Sequence, residues 1–165
     1  MKKLAVQNII LDNSDVENKI QRIGLEILED NLDESKITLF GISDNGNLIA
    51  QKLLTHINGI SDIEVESIQV EIENGSITYN GKFNILDKSI IIVGDVSQTG
   101  KTLQLVISNL MLHKPTKIKT SVIINRDQNM YPVKIDYTGL SLSTSVNEHV
   151  DVIVDKKGKL RVYLS

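Results

Sequence analysis

The sequence predicts an α/β fold, a single domain with a mainly parallel sheet flanked by helices. Three observations carry this. Strand-like apolar segments alternate with helix-periodic segments between residues 36 and 124, the pattern of a parallel sheet joined by helical crossovers. Ile90, Ile91, Ile92 and Val93 are β-branched throughout, as a strand covered on both faces requires. A chain of 165 residues is long enough for one domain with a substantial core, and a second is not expected.

The elements follow in order. Ser14 and Glu17 form a capping-box pattern, and Val16, Ile20, Ile23, Ile27 and Leu28 follow at helical spacing, predicting a helix to about residue 31. Residues 36–42 read as the first core strand. Ser43, Asp44, Asn45 and Gly46 read as a turn, and Leu48, Ile49, Leu53 and Ile57 mark a second helix. Residues 63–72 alternate apolar and polar, with a skip at Glu66 and Ser67. Asn74-Gly75 is a hairpin signal, 76–79 the return strand, and Asn80-Gly81 a second turn. The Ile90 strand, a loop and a helix from Lys101 to about His113 come next. Residues 117–124 form another strand and 136–140 a short one. Residues 150–154 and 160–164 close as a hairpin turning at Lys156, Lys157 and Gly158.

In such a sheet, ligands collect at the carboxyl ends of the strands, which singles out the segments 43–47 and 95–102. The second is the more informative. The strand runs through Gly94 and Asp95 into a small polar turn, Ser97, Gln98, Thr99 and Gly100, and a helix opens at Lys101, Thr102 and Leu103. Free N–H groups and the positive end of the helix dipole make such a turn a phosphate cradle. It is not a Walker A loop, which has four residues between its glycines. Here five lie between Gly94 and Gly100, and a P-loop kinase or NTPase is disfavoured accordingly. Asp95 suits a ligand carrying hydroxyls beside its phosphate, because a carboxylate accepts hydrogen bonds from two vicinal hydroxyls. Ribose 5-phosphate has that chemistry.

Composition narrows the classes. There is no Cys, which excludes disulfides, thiolate metal sites and cysteine nucleophiles and agrees with a cytoplasmic protein. Met1, Lys2 and Lys3 precede an apolar stretch that Gln7, Asn8 and Asp12 interrupt too early for a signal peptide. No run has membrane-spanning length. The net charge of −3 offers nucleic acid no general attraction. The local gatherings Lys114, Lys117, Lys119 and Lys156, Lys157, Lys159, Arg161 read as solvated loops and strand edges. His56, His113 and His149 are scattered without ligand or triad spacing.

The segment Val93, Gly94, Asp95, Val96, Ser97, Gln98, Thr99, Gly100, Lys101, Thr102 resembles the phosphoribosyl pyrophosphate (PRPP) motif of the type I phosphoribosyltransferases. That motif is an apolar strand, two acids, two apolar or small residues, then Thr-Gly-x-Thr. The resemblance covers nearly the whole chain and is nearest to the pyrimidine operon regulatory protein / uracil phosphoribosyltransferase group. It runs through Leu39 to Ile42, Leu48 to Leu53, Val122 to Arg126, Tyr131 to Gly139 and Ser143 to Glu148. The resemblance implies transfer of phosphoribosyl from PRPP to a nucleobase, with Mg²⁺ accompanying PRPP and no protein metal ligand assigned. It implies a small C-terminal β hood over the base. Asp95 would be catalytic, and Ser97, Gln98, Thr99, Gly100, Lys101 and Thr102 would bind the PRPP phosphate. Ser43, Asp44, Asn45 and Gly46 would be the pyrophosphate loop, with a backbone nest around Gly46. Arg126, Lys134, Asp136 and Tyr137 would bind the base, Tyr137 by stacking. Self-association is implied too, with Leu140 and Leu142 contributing to an interface.

The departures from the pattern are specific. Gly94 stands where the family usually has its first acid. Asn45, after Asp44, stands where a basic residue is common. The region 73–83, where the family carries a flexible catalytic loop, has only Lys82 as a cation and reads as a short hairpin instead of a lid. Two functions stay open: a transferase using a pyrimidine such as uracil or a purine, and a weakened or inactive nucleotide- or PRPP-binding regulator, with RNA as a partner that net charge does not favour.

Overall fold

The computed structural model describes residues 8–165; Met1, Lys2, Lys3 and Gln7 lie outside them. Three helices and nine strands are present among these residues: β1 Asn8–Leu11, α1 Asn13–Glu29, β2 Lys36–Ile42, α2 Ser43–Ile60, β3 Glu64–Glu73, β4 Ser76–Asn80, β5 Ser89–Ser97, α3 Lys101–Met111, β6 Lys117–Asn125, β7 Tyr137–Ser141, β8 Val150–Val154 and β9 Leu160–Leu164. The main sheet has the order β4-β3-β2-β5-β6-β7. All its pairings are parallel except the β3–β4 hairpin, which turns through Asn74 (φ 50°) and Gly75 (φ 80°). The expected hairpin at 63–79 is therefore present.

The sheet's covering explains why β5 is apolar from Ile90 to Val93. Ile91 and Val93 belong to a core shared with Val16, Ile20, Ile23 and Ile27 of α1 and Ile49, Leu53 and Ile57 of α2. Ile90 and Ile92 point to the other face, against Leu103, Val106 and Leu110 of α3 with Phe40 and Val70. Alternation between two apolar layers favours an apolar residue at each of these four positions.

Three elements differ from the sequence reading. The α1 capping box is Asp12 with Asp15, whose backbone N–H groups and carboxylates exchange bonds of 2.8 and 3.0 Å. Glu17, expected to cap, instead reaches Lys52 on α2 at 2.6 Å, and an acidic side chain two residues earlier takes the cap. The turn at 43–46 is absent as a turn, because α2 begins at Ser43 directly after β2. The C-terminal hairpin gains a third strand, β1, which pairs antiparallel with β9 to give the order β1-β9-β8. A four-residue strand has too few positions for a period to show. Val152, Leu160 and Val162 of this small sheet join the core near Val16, so it caps the end of the main sheet where β2 and β5 terminate.

Candidate active site

Asp95 lies two residues before the end of β5. Its Oδ1 accepts the Val96 N–H at 2.7 Å and its Oδ2 accepts Asn45 Nδ2 at 2.9 Å. In front of it opens a cavity of about 410 Å³, lined by Ser43, Asp44 and Asn45 on one side and by Gly94, Asp95, Val96, Thr102 and Leu103 on the other. Such a volume falls in the range of small-molecule sites.

Beyond Asp95 the chain turns tightly into α3. Gly100 is the residue before the helix and adopts φ 80°, a left-handed conformation that suits glycine. Among the described residues, the N–H groups of Gln98, Thr99 and Gly100 donate to no protein acceptor. The hydroxyl of Ser97, buried at 4% exposure, also has no partner. The back of the turn is fixed from outside, since the Thr99 carbonyl accepts N–H groups of Met130 and Tyr131 at 2.9 and 3.2 Å. A second hollow of about 180 Å³ sits within this turn, lined by residues 96–103. It shares Val96, Thr102 and Leu103 with the first. An acid and a cradle of unpaired donors thus line two adjoining hollows with a shared wall, here called the trough, and free N–H groups at a helix start beside the buried Ser97 hydroxyl suit an anion.

At the opposite wall, Ser43 takes φ 56°, turning the chain sharply from β2 into α2. Gly46 is buried, and a Cβ there would stand 2.6 Å from the Val93 carbonyl oxygen. The expected nest around Gly46 is therefore not an open concavity: this glycine packs α2 against β5. What faces the trough is a helix N-terminus with no side-chain cap at Ile42. Asp44 accepts Gln69 Nε2 at 3.0 Å.

With this geometry, the model of the phosphoribosyl transferase domain matches residues 6–157. The chain belongs to that family. The phosphoribosyltransferase domain accounts for nearly all of its length. Among curated proteins, the chain is 28% identical over 151 residues to the Bifunctional protein PyrR of Streptococcus pneumoniae, covering 87% of each. Among solved structures, it is similar to the hypoxanthine phosphoribosyltransferase of Trypanosoma cruzi (TM-score 0.79, 15% identity, 95% of each chain). It is also similar to a hypoxanthine-guanine phosphoribosyltransferase from Bacillus anthracis (TM-score 0.72, 19% identity, 82% of each chain). The protein is by family a pentosyltransferase, with the mixed α/β architecture the sequence implied.

The four expected base-binding residues of this phosphoribosyltransferase are not gathered at the trough. Tyr137 is 3% exposed, and its hydroxyl donates to Asp30 Oδ2 at 2.7 Å. Burial, then the Asp30 bond and neighbouring carboxylates, push its pKa far above the usual phenol value. It is a core residue under α1, with no face for a base to stack on. Asp136 accepts the Thr120 N–H at 3.0 Å and lies 3.4 Å from Lys119 Nζ, fixing the start of β7 to β6. Lys134 is largely exposed, 3.6 Å from Asp136, beside Gln104 and Ile107 in the middle of α3. Arg126 is buried at 2% exposure. Its Nε and Nη2 bond Thr144 Oγ1 at 2.9 and 2.6 Å, and Nη2 also donates to the Ser145 and Glu148 carbonyls at 3.1 and 2.8 Å. Arg126 thus holds the 142–149 loop, and only its Nη1 makes no bond to the described residues.

Leu140 and Leu142 pack partly buried against the core, which leaves little of them for an interface. Sequence reasoning missed the apolar walls Val96 and Leu103 and the Val152 carbonyl beside Asn45. A backbone carbonyl leaves no signature in residue type. No helix among the described residues is long and apolar enough to cross a membrane.

Proposed function

We propose that the protein transfers the phosphoribosyl group of PRPP to a ring nitrogen of a nucleobase and releases pyrophosphate. A pyrimidine such as uracil is the favoured acceptor, from the resemblance to the pyrimidine group, and a purine is the other choice. One observation carries the reading: Asp95 and the unpaired donors of residues 97–100 line adjoining hollows of one trough. The 5-phosphate sits in the cradle on the N–H groups of Gln98, Thr99 and Gly100 and the hydroxyl of Ser97. Asp95 accepts the ribose hydroxyls. The C1–O bond to pyrophosphate breaks as the C1–N bond forms, the bonding electrons leave with pyrophosphate, and the ring N–H proton of the base passes to solvent. The N-terminus of α2 offers N–H groups to the leaving group.

No cluster of three or more His, Cys, Asp or Glu able to hold a metal occurs among the described residues, while Asp44 and Asp95 line the same cavity. That donor set fits Mg²⁺ arriving with PRPP, its remaining positions filled by ligand oxygens. When bound, Mg²⁺ neutralises charge on the diphosphate.

A second reading, a nucleotide- or PRPP-binding regulator without turnover, is favoured by the character of the leaving-group wall. No Lys or Arg lines the 410 Å³ cavity, and Asp44 does. RNA is a further partner for such a regulator, to be tested by affinity at low salt.

Pyrophosphate release from Mg²⁺–PRPP with uracil, hypoxanthine, guanine, xanthine and adenine tests both readings. Release with one base, reduced about 10²-fold or more in Asp95→Asn, supports the transferase and names its acceptor. Turnover undiminished in Asp95→Asn overturns the assigned site. Silence with every base, while a nucleoside monophosphate raises the Tm, selects the regulator.

A further inference from the structure

Asn45 occupies a position where an anion-binding side chain was expected, and the structure gives it different partners. Its Nδ2 donates to Asp95 Oδ2 at 2.9 Å and to the Val152 carbonyl at 2.9 Å. Both amide protons are thereby committed, and the amide is fixed with nitrogen toward the two oxygens, because its carbonyl there would oppose both. One side chain on α2 thus spans the end of β5 and the middle of β8.

Asp95 needs such a fixture. A carboxylate that accepts two vicinal hydroxyls must present both oxygens in the plane of the diol. Rotation about its Cβ–Cγ bond destroys that match. The Val96 N–H holds Oδ1 at 2.7 Å and Asn45 holds Oδ2, so each oxygen keeps a lone pair free toward the cavity. Gly94 supplies no second carboxylate, and the orientation of Asp95 alone decides how a diol is held.

We propose that Asn45 is a positioning residue that sets the Asp95 carboxylate for recognition of a vicinal ribose diol and ties that carboxylate to the C-terminal sheet through Val152. The inference rests on the phosphoribosyl reading of the trough. Asn45 donates to no phosphate in this role, and its effect is confined to ligands that carry the diol.

Titration calorimetry with ribose 5-phosphate, 2-deoxyribose 5-phosphate and inorganic phosphate tests it on the wild type, Asn45→Ala and Asn45→Asp. The wild type is expected to prefer the ribose form. In Asn45→Ala, affinity for ribose 5-phosphate falls about tenfold, the scale of one lost hydrogen bond to a charged group. The preference over the deoxy form collapses, while phosphate affinity stays within about twofold. Asn45→Asp keeps the size of the side chain and places a like charge beside Asp95, so its loss is larger. It also serves as the folded comparison if the alanine variant does not fold. Retained ribose preference in either variant overturns the proposal. A uniform loss that includes inorganic phosphate also overturns it, because that is the mark of a disturbed α2. A wild type that does not distinguish ribose from deoxyribose refutes the phosphoribosyl reading itself.

Discussion

Two strand-to-helix junctions face each other across the trough, and they are built on opposite principles. At the β5–α3 junction the donors are left over: the N–H groups of Gln98, Thr99 and Gly100 and the Ser97 hydroxyl have no protein acceptor among the described residues. At the β2–α2 junction the polar side chains are already committed, Asn45 to Asp95 and Val152 and Asp44 to Gln69. Its glycine packs against a backbone carbonyl. The first is a preformed receptor, whose buried Ser97 hydroxyl costs stability until a ligand arrives. The second is mainly structural, with its helix N-terminus and the exposed Asp44 carboxylate left for a ligand. Two turns of similar composition can therefore divide the work of one site between binding and scaffolding.

Alanine at the glycine of each junction is the strongest way to break this comparison. At Gly46 a Cβ would stand 2.6 Å from the Val93 oxygen, and α2 must shift from β5. The expected cost is about 3 kcal/mol, seen as a Tm lowered by roughly 6–12 °C for a chain of this size. At Gly100 the nearest atoms to a Cβ are 3.5 Å away, and the penalty is the φ of 80°, about 1–2 kcal/mol. Gly100→Ala should mainly weaken phosphate binding by calorimetry, with a smaller change in Tm. If Gly46→Ala left the Tm unchanged, or if Gly100→Ala lowered it more, the division between the junctions would be wrong.

The sequence made one junction legible and concealed the other for a physical reason. A receptor loop needs small residues, a glycine at positive φ and a helix start, and these appear as residue types at 97–102. A committed junction depends on which acceptors the fold brings close, and Val152, 107 residues from Asn45, cannot be inferred from spacing. The parallel sheet was legible because double-sided burial dictates the apolar run from Ile90 to Val93 in β5. The surroundings of Arg126 and Tyr137 were not legible, because an Arg after a strand and a Tyr at the start of one look alike whether they face a ligand or the interior. Burial and partners distinguish the two cases: both side chains are buried and hydrogen-bonded within the protein.

Arg126 sharpens the comparison on the side of the 142–149 loop. Its guanidinium satisfies Thr144, Ser145 and Glu148, and Arg126→Met leaves those acceptors to water or unpaired. A loss of about 2 kcal/mol is expected. Amide hydrogen exchange should accelerate first within 142–149, where the Ser145 N–H bonds Glu148 Oε2 at 2.7 Å. Unchanged exchange in that loop would return Arg126 to the list of ligand groups.

Tyr137 gives the smallest effect and the one with the clearest sign. Its hydroxyl donates to Asp30, and burial with that bond raises its pKa far above the value of about 10 for an unfolded chain. The folded protein therefore keeps a proton that the unfolded chain releases above pH 10. The stability carried by the protonated phenol is fully present below pH 10 and is lost as pH rises through and beyond it, by about 1.4 kcal/mol per unit. Tyr79, whose pKa burial pushes up to about 12, contributes a similar loss to wild type and variant alike. At pH 7 Tyr137→Phe should be less stable by about 1 kcal/mol. As pH rises from 10 to 11 the two denaturation midpoints should converge, because only the wild type has this proton to lose. Parallel curves across that range would mean that Tyr137 ionises freely, and so that its ring is open to a ligand after all.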